Sequence, residues 1–216
     1  FDAGDSELSL SYLREFIQNY QESPLLSDTY LLLSIIYSER GELNKSAEAL
    51  NKFMERFPHE YRLRQVQYRL SKLYFKLGKF RQVFDLWQDI PGEINAKKEV
   101  FQKLATKYIE GQKFLDALQA MMARKALMSD PMERTLIRHE VALLIREQLG
   151  EQALKSVIAQ FDASYPADEA MIRLIRFYDT QGDYHSEDNA ARDFLSRFPN
   201  HQYASQARHI LDEIKS

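Results

Sequence analysis

Cysteine is absent from this chain of 216 residues, so disulfides and thiolate metal sites are excluded. Only seven glycines and six prolines are present, which leaves little material for long irregular loops. No apolar run approaches the roughly 20 residues that span a bilayer. Neither sign of charge dominates, because the formal net charge is −3. A strongly basic surface for nucleic acid is therefore not indicated, and we expect no nucleic-acid partner.

The start of the chain also lacks the features of a leader. It begins at Phe1 rather than Met, with no charged segment followed by an apolar one. We expect an excised fragment or mature segment of a longer protein, with any targeting signal upstream. A lipid anchor upstream and the oligomeric state are both left open.

Catalytic motifs are missing as well. His139-Glu140 could begin a zinc-protease motif, but Leu143 stands where the second histidine is required. The sequence has no glycine-rich phosphate loop and no G-x-S-x-G nucleophile motif. We therefore expect no catalytic residues, no metal site and no cofactor, and a protein that is not an enzyme.

The prolines of the chain recur at a nearly constant spacing. Its prolines are separated by 34, 33, 40, 35 and 33 residues, and they lie at Pro24, Pro58, Pro91, Pro131, Pro166 and Pro199. A fixed period in this range is typical of repeat architectures. The longest gap follows Pro91-Gly92, where we expect the repeat to be irregular.

Apolar residues recur at helical spacing almost throughout, and strict alternation is scarce. This pattern predicts an all-α fold of about twelve antiparallel helices in one continuous domain, residues 1–216. The predicted helices span 6–20, 25–40, 44–56, 60–77, 80–89, 94–109, 113–128, 131–148, 151–163, 167–181, 184–197 and 201–215.

The helices can be aligned on an aromatic residue near the end of each first helix of a pair. A bulky residue follows each tyrosine by six positions, and a second packing position comes three residues later. The matching trios are Tyr37, Leu43 and Ser46; Tyr74, Phe80 and Val83; Tyr108, Phe114 and Ala117; Tyr178, Tyr184 and Glu187.

This pattern resembles the tetratricopeptide repeat, a helix–turn–helix unit with aromatic, small and terminal proline positions. The resemblance implies a right-handed α-solenoid of about six hairpins. The fourth unit departs from it, with Leu144, Gly150 and Ala153 at the three positions. Glu187 departs from the pattern too, because it stands where a small residue is expected. A carboxylate buried there without a partner would be costly. Either the second helix there is shifted to use Ala190 and Ala191, or a carboxylate lies near a tight helix crossing, and of the two we expect the shift.

In such stacks the first helices line a concave groove that takes peptides or partner helices. The Lys and Asn clamp by which chaperone-binding relatives grip a terminal carboxylate is absent, since Asp28, Leu31 and Ile35 occupy its positions. The groove is apolar at its first end and basic at its second, which favours an acidic or C-terminal protein segment. A merely solvated helix face is the alternative. The predicted groove residues are Leu31, Ile35, Tyr68, Lys72, Phe75, Lys76, Arg138, Arg146, Ile172 and Arg176.

The segment from Phe198-Pro199-Asn200-His201 to Ala207 resembles linkers in bacterial envelope tetratricopeptide proteins. These include outer-membrane assembly lipoproteins, the Tol-associated periplasmic coordinator and the N-terminal domains of penicillin-binding-protein activator lipoproteins. The resemblance implies a scaffold for protein partners in envelope assembly, periplasmic or at the outer membrane, with the cytoplasm as the alternative location. It equally allows an accessory domain of a larger envelope ligand-binding or activator lipoprotein.

Overall fold

The computed structural model describes the backbone of residues 3–213 and the side chains of residues 6–213. This part of the chain is all-α, with twelve helices and no strand. They are α1 Ala3–Asn19, α2 Leu26–Glu39, α3 Leu43–Arg56, α4 Leu63–Lys76, α5 Phe80–Asp89, α6 Ile94–Glu110, α7 Phe114–Ala126, α8 Pro131–Gln148, α9 Glu151–Phe161, α10 Ala167–Gln181, α11 Tyr184–Arg197 and α12 Ala204–Glu213.

All twelve predicted helices are confirmed. The largest differences are at the starts of α1, α4 and α12, each displaced by three residues. Helix α4 begins late because Leu63 N–H first donates to the Glu60 carbonyl, at 2.9 Å. Helix α12 repeats that turn, with Ala204 N–H on the His201 carbonyl at 2.9 Å. The predicted end of the last helix, at residues 214–215, lies outside the described residues.

The even-numbered helices are called first helices below, and the odd-numbered ones second helices. The chain divides between Glu93 and Ile94 into two compact units, with α1–α5 in unit 1 and α6–α12 in unit 2. The division falls at the expected irregularity. Helix α5 ends at Asp89, and Gly92 and Glu93 then adopt positive φ angles of 73° and 50°. That residues 1–216 act as one domain stays a prediction.

Most successive helices within each unit pack on one another. In unit 1, α2 packs with α3 and α4 with α5, while α1 covers α2. In unit 2 the closest pairs are α6 with α7, and α10 with both α9 and α11. The fourth hairpin is irregular as expected, since the buried residue at the start of α9 is Leu154 and Ala153 is only half-buried.

Three of the four aligned tyrosines, Tyr37, Tyr74 and Tyr178, join neighbouring helices through their hydroxyl groups. Tyr37 accepts from Arg14 Nη2 at 2.9 Å, and Tyr74 accepts from the Asn51 amide at 2.9 Å. In both cases the partner lies 23 residues earlier, on the preceding second helix. Arg14 of α1 therefore makes the same kind of contact as Asn51 of α3.

Tyr178 makes the corresponding contact in unit 2, where its hydroxyl donates to Glu151 Oε1 at 2.8 Å. Ion pairs about one repeat apart add further links between hairpins. Arg197 pairs with Asp162 at 3.0 Å, and Lys98 pairs with Glu133 at 3.0 Å. These ion pairs join residues 35 positions apart, which is close to the spacing of the prolines.

The small position of the second helix is buried where the alignment puts it. Ser46, Val83 and Ala117 have no exposed surface, and the Ser46 hydroxyl donates to the Ser34 carbonyl at 2.7 Å. These positions allow the two helices of a hairpin to approach closely.

Our expectation for Glu187 is wrong. Helix α11 begins at Tyr184, six residues after Tyr178, as the other second helices do after their tyrosines. It is therefore not shifted toward Ala190, and Glu187 is buried at the small position with 5% of its surface exposed. Burial, together with Asp179 and Glu213, raises the pKa of the Glu187 carboxyl. These effects favour the protonated, uncharged form of the carboxyl.

Candidate functional site

The groove residues predicted in unit 1 lie on the surfaces of α2 and α4. Leu31 and Ile35 are half-buried on α2, and the neighbouring Leu32, which the sequence reasoning missed, is 48% exposed. On α4, Tyr68 is 39% exposed and packs its ring at 5.1 Å from that of Trp87. This surface is therefore mainly apolar.

The remaining residues predicted in unit 1 lie toward the end of α4. Lys72 and Lys76 are exposed, and Phe75 is half-buried with its ring 5.5 Å from that of Phe80. Phe75 therefore belongs partly to the packing of α4 on α5, and the two lysines are the accessible polar groups of this surface.

The groove residues predicted in unit 2 lie on α8 and α10. Arg138, Arg146 and Arg176 are exposed, while Ile172 is half-buried. Ile172 and Arg176 line one cleft of about 400 Å³ together with His201 and Tyr203 of the turn before α12. The structure thus brings two of these four residues into a single concavity.

Two of the arginines on this surface lie against aromatic rings. The guanidinium carbon of Arg176 lies 5.6 Å from the ring centre of Tyr203, and that of Arg138 lies 4.3 Å from the ring centre of Tyr165. Tyr165 also donates its hydroxyl proton to the Arg138 carbonyl at 2.7 Å. Burial raises the pKa of Tyr165, so the hydroxyl keeps its proton.

A second cation shares the Tyr165 ring. Lys125, near the end of α7, places its Nζ 4.7 Å from the ring centre. The sequence reasoning missed Lys125 and Tyr165 because neither lies on a first helix. The available signal was the position of Tyr165 in a proline linker, directly before Pro166.

The cations of unit 2 are compensated in different ways. Many pair with carboxylates, on first helices as well as second: Lys98 with Glu133 at 3.0 Å, Lys155 with Glu151 at 2.7 Å, and Arg192 with Asp188 at 2.7 Å. Among the described residues, Arg138, Arg173 and Arg176 have no carboxylate within ion-pair distance. Their contacts are with rings and carbonyls, and Arg173 Nε donates to the Arg146 carbonyl at 3.0 Å. Arg146 itself pairs with its neighbour Glu147 at 3.2 Å. We call Arg138, Arg146, Arg173 and Arg176 the basic surface.

A buried carboxylate lies beside the cleft. Asp168 is 6% exposed, its Oδ2 is 3.7 Å from His201 Nε2, and its Oδ1 has no hydrogen-bond partner among the described residues. His201 Nδ1 accepts the Tyr203 N–H at 3.1 Å, so in the neutral ring the proton is on Nε2 and faces Asp168.

Two further clefts lie between successive second helices, of about 410 Å³ in unit 1 and about 470 Å³ in unit 2. They are the same feature of the repeat. Leu33, Tyr37 and Ala49 line the first, and the residues 141 positions later, Leu174, Tyr178 and Ala190, line the second. The sequence reasoning did not foresee these clefts.

Among residues 3–213, no helix combines the length and apolar character needed to cross a bilayer. The same part of the chain contains no cluster of three or more side chains arranged to hold a metal ion.

The tetratricopeptide repeat family model matches residues 28–59, which run from α2 through α3 to the following turn. The resemblance found in the sequence is confirmed for this hairpin. No curated protein matches this chain in sequence.

Several solved structures are similar in fold. The structure of Naa15/Naa10 bound to HypK-THB has a TM-score of 0.48 at 13% identity, over 98% of this chain and 31% of that one. A tetratricopeptide repeat protein from Parabacteroides merdae has a TM-score of 0.36 at 14% identity, over 88% of this chain and 73% of that one. The P58(IPK) tetratricopeptide domain has a TM-score of 0.36 at 14% identity, over 100% of this chain and 61% of that one. This chain therefore spans less than two thirds of the first and third of these chains.

Proposed function

We propose that this protein is a non-enzymatic scaffold that binds an acidic segment of a protein partner on the basic surface of unit 2. Tetratricopeptide-like hairpins stack into extended surfaces suited to holding other chains. The cleft between α10 and α12 adds a concavity next to Arg176, in which a side chain of the bound segment can be buried.

The observation that carries the proposal is that Arg138, Arg173 and Arg176 have no carboxylate partner within residues 6–213. Other cations of the same unit, such as Lys98, Lys155 and Arg192, are ion-paired within the chain. Aromatic rings and carbonyls fix the arginines of the basic surface without neutralising them. Their charge therefore remains available to a partner, and guanidinium groups contact carboxylates through strong, charge-assisted hydrogen bonds.

Selection from a random dodecapeptide library tests the proposal. We expect the recovered peptides to be rich in Asp and Glu, and to protect amides of α8, α10 and α12 from hydrogen exchange. Recovery of uncharged or basic peptides would contradict it, and so would protection confined to the second helices.

We also propose that the protein works in the bacterial cell envelope, from the likeness of the segment after Phe198 to linkers of envelope proteins. Fractionation of the source cells with an antibody against this chain tests the location. Recovery with envelope markers is expected, and recovery with cytosolic enzymes would contradict it.

A further inference from the structure

We propose that Lys125, Arg138 and Tyr165 form a subsite for one carboxylate group of the bound partner. The inference rests on the proposed function and deepens it, because it names the chemical group recognised at one end of the basic surface. It also adds Lys125, a residue of a second helix, to a surface otherwise made by first helices.

The geometry places two cations on one aromatic ring. Lys125 Nζ lies 4.7 Å and Arg138 Cζ 4.3 Å from the ring centre of Tyr165. The hydrogen bond from the Tyr165 hydroxyl to the Arg138 carbonyl fixes the ring against α8. Because α7 supplies one cation and α8 the other, the packing of these helices sets the distance between them.

The two charges lack compensation. Within the described part of the chain, no carboxylate lies within ion-pair distance of Lys125 or Arg138. Nearby Arg134 donates its Nε to the Met128 carbonyl, at 2.6 Å, and adds a third positive charge. Burial lowers the pKa of Lys125, and repulsion by Arg138 and Arg134 lowers it further. An anion bound here would relieve this repulsion and favour the charged lysine.

The surrounding acidic groups limit the charge that the anion can carry. Asp168 acts electrostatically on Lys125, and Asp168 and Glu169 both act on Tyr165. A dianionic phosphate would be repelled by these carboxylates more strongly than a monoanionic carboxylate. The planar guanidinium of Arg138 matches a carboxylate in shape as well as charge. An Asp or Glu side chain of the partner is therefore the group that fits.

Binding of octaglutamate to the full chain, with octaglutamine as the neutral control, tests the subsite. We expect octaglutamate to bind and to raise the pKa of Lys125, followed by NMR of the lysine Nζ. Lys125→Gln and Arg138→Gln should each weaken binding about tenfold. The matched control Arg192→Gln removes an ion-paired arginine of α11 and should leave binding unchanged.

The outcomes separate the subsite from the wider proposal. If octaglutamate binds and both Lys125→Gln and Arg138→Gln bind it as tightly as the parent chain, the subsite is wrong and the basic surface stands. If octaglutamate does not bind the parent chain, both ideas fail. A larger rise in the Lys125 pKa with inorganic phosphate than with acetate would overturn the choice of carboxylate.

Discussion

The hydroxyl of Tyr165 donates a 2.7 Å hydrogen bond to the backbone carbonyl of Arg138, while the Arg138 guanidinium carbon lies 4.3 Å from the same ring. One aromatic side chain therefore both anchors the linker before α10 to α8 and orients a cation of the basic surface. These two roles can be separated by substitution.

Tyr165→Phe removes the hydrogen bond and keeps the ring. We expect it to lower the free energy of unfolding by about 0.5–1.5 kcal/mol, measured by urea denaturation. Octaglutamate binding should be retained, because the cation–ring contacts remain. Tyr165→Leu should weaken binding as well, and equal binding by the Phe and Leu variants would show that the ring does not orient the cations.

A buried hydrogen bond in unit 1 gives a second prediction. Trp87 is 1% exposed, and its Nε1 donates to the Ser71 hydroxyl at 2.7 Å. Ser71→Ala would leave the indole N–H buried without an acceptor, which costs about 1–3 kcal/mol. The control is Ser156→Ala on α9, where an exposed hydroxyl contacts only its own helix and the effect should stay within about 0.5 kcal/mol. Similar thermal midpoints for the two variants would refute the assignment.

The buried carboxyl of Glu187 predicts a dependence of stability on pH. Its pKa is raised in the folded state above the ordinary value of 4.5. The unfolded chain therefore loses this proton at lower pH than the folded chain, and stability falls as pH rises through the interval between the two values. Below that interval Glu187 is protonated in both states and carries no penalty.

Glu187→Gln removes this titration while keeping the size of the side chain. The variant should gain stability relative to the parent chain as pH rises above the ordinary value of 4.5 in urea titrations at successive pH values. The difference should become constant once the folded-state pKa is passed. A difference that does not change with pH would contradict the account of Glu187.

The link between the first two hairpins of unit 1 gives a further prediction. The Arg62 guanidinium contacts Asp28 and Ser27 of α2, and its side chain is only 19% exposed. Arg62→Ala should cost about 1–2 kcal/mol in urea denaturation, since it removes packing as well as charge. The control, Lys52→Ala, breaks an exposed pair within α3 and should cost about 0.5 kcal/mol or less. Equal losses would show that Arg62 does not tie the hairpins together.

The helices and the repeat register could be predicted because each depends on local patterns. Apolar spacing sets the buried stripe of each helix, and Tyr37, Tyr74 and Tyr178 recur where a hydroxyl can reach the preceding hairpin. Glu187 could not be predicted in this way. Its burial, which raises its pKa, depends on how the surrounding helices pack.

The candidate site was predicted in part for a related reason. Residues on first helices, such as Arg138 and Arg176, follow from the repeat offsets alone. Lys125 and Tyr165 come from the end of a second helix and from a linker, whose side-chain directions the offsets do not describe. Whether a surface arginine has a carboxylate partner also depends on tertiary contacts.

The central claim, that the basic surface binds an acidic segment, is tested most directly by charge reversal. Fluorescence anisotropy would measure the affinity of an acidic peptide from the library for the parent chain, for Arg146→Glu with Arg176→Glu, and for Arg192→Glu as control. We expect the double variant to bind at least about tenfold more weakly with an unchanged helical circular dichroism spectrum, and the control to bind normally. A double variant that binds as tightly as the parent chain would contradict the claim.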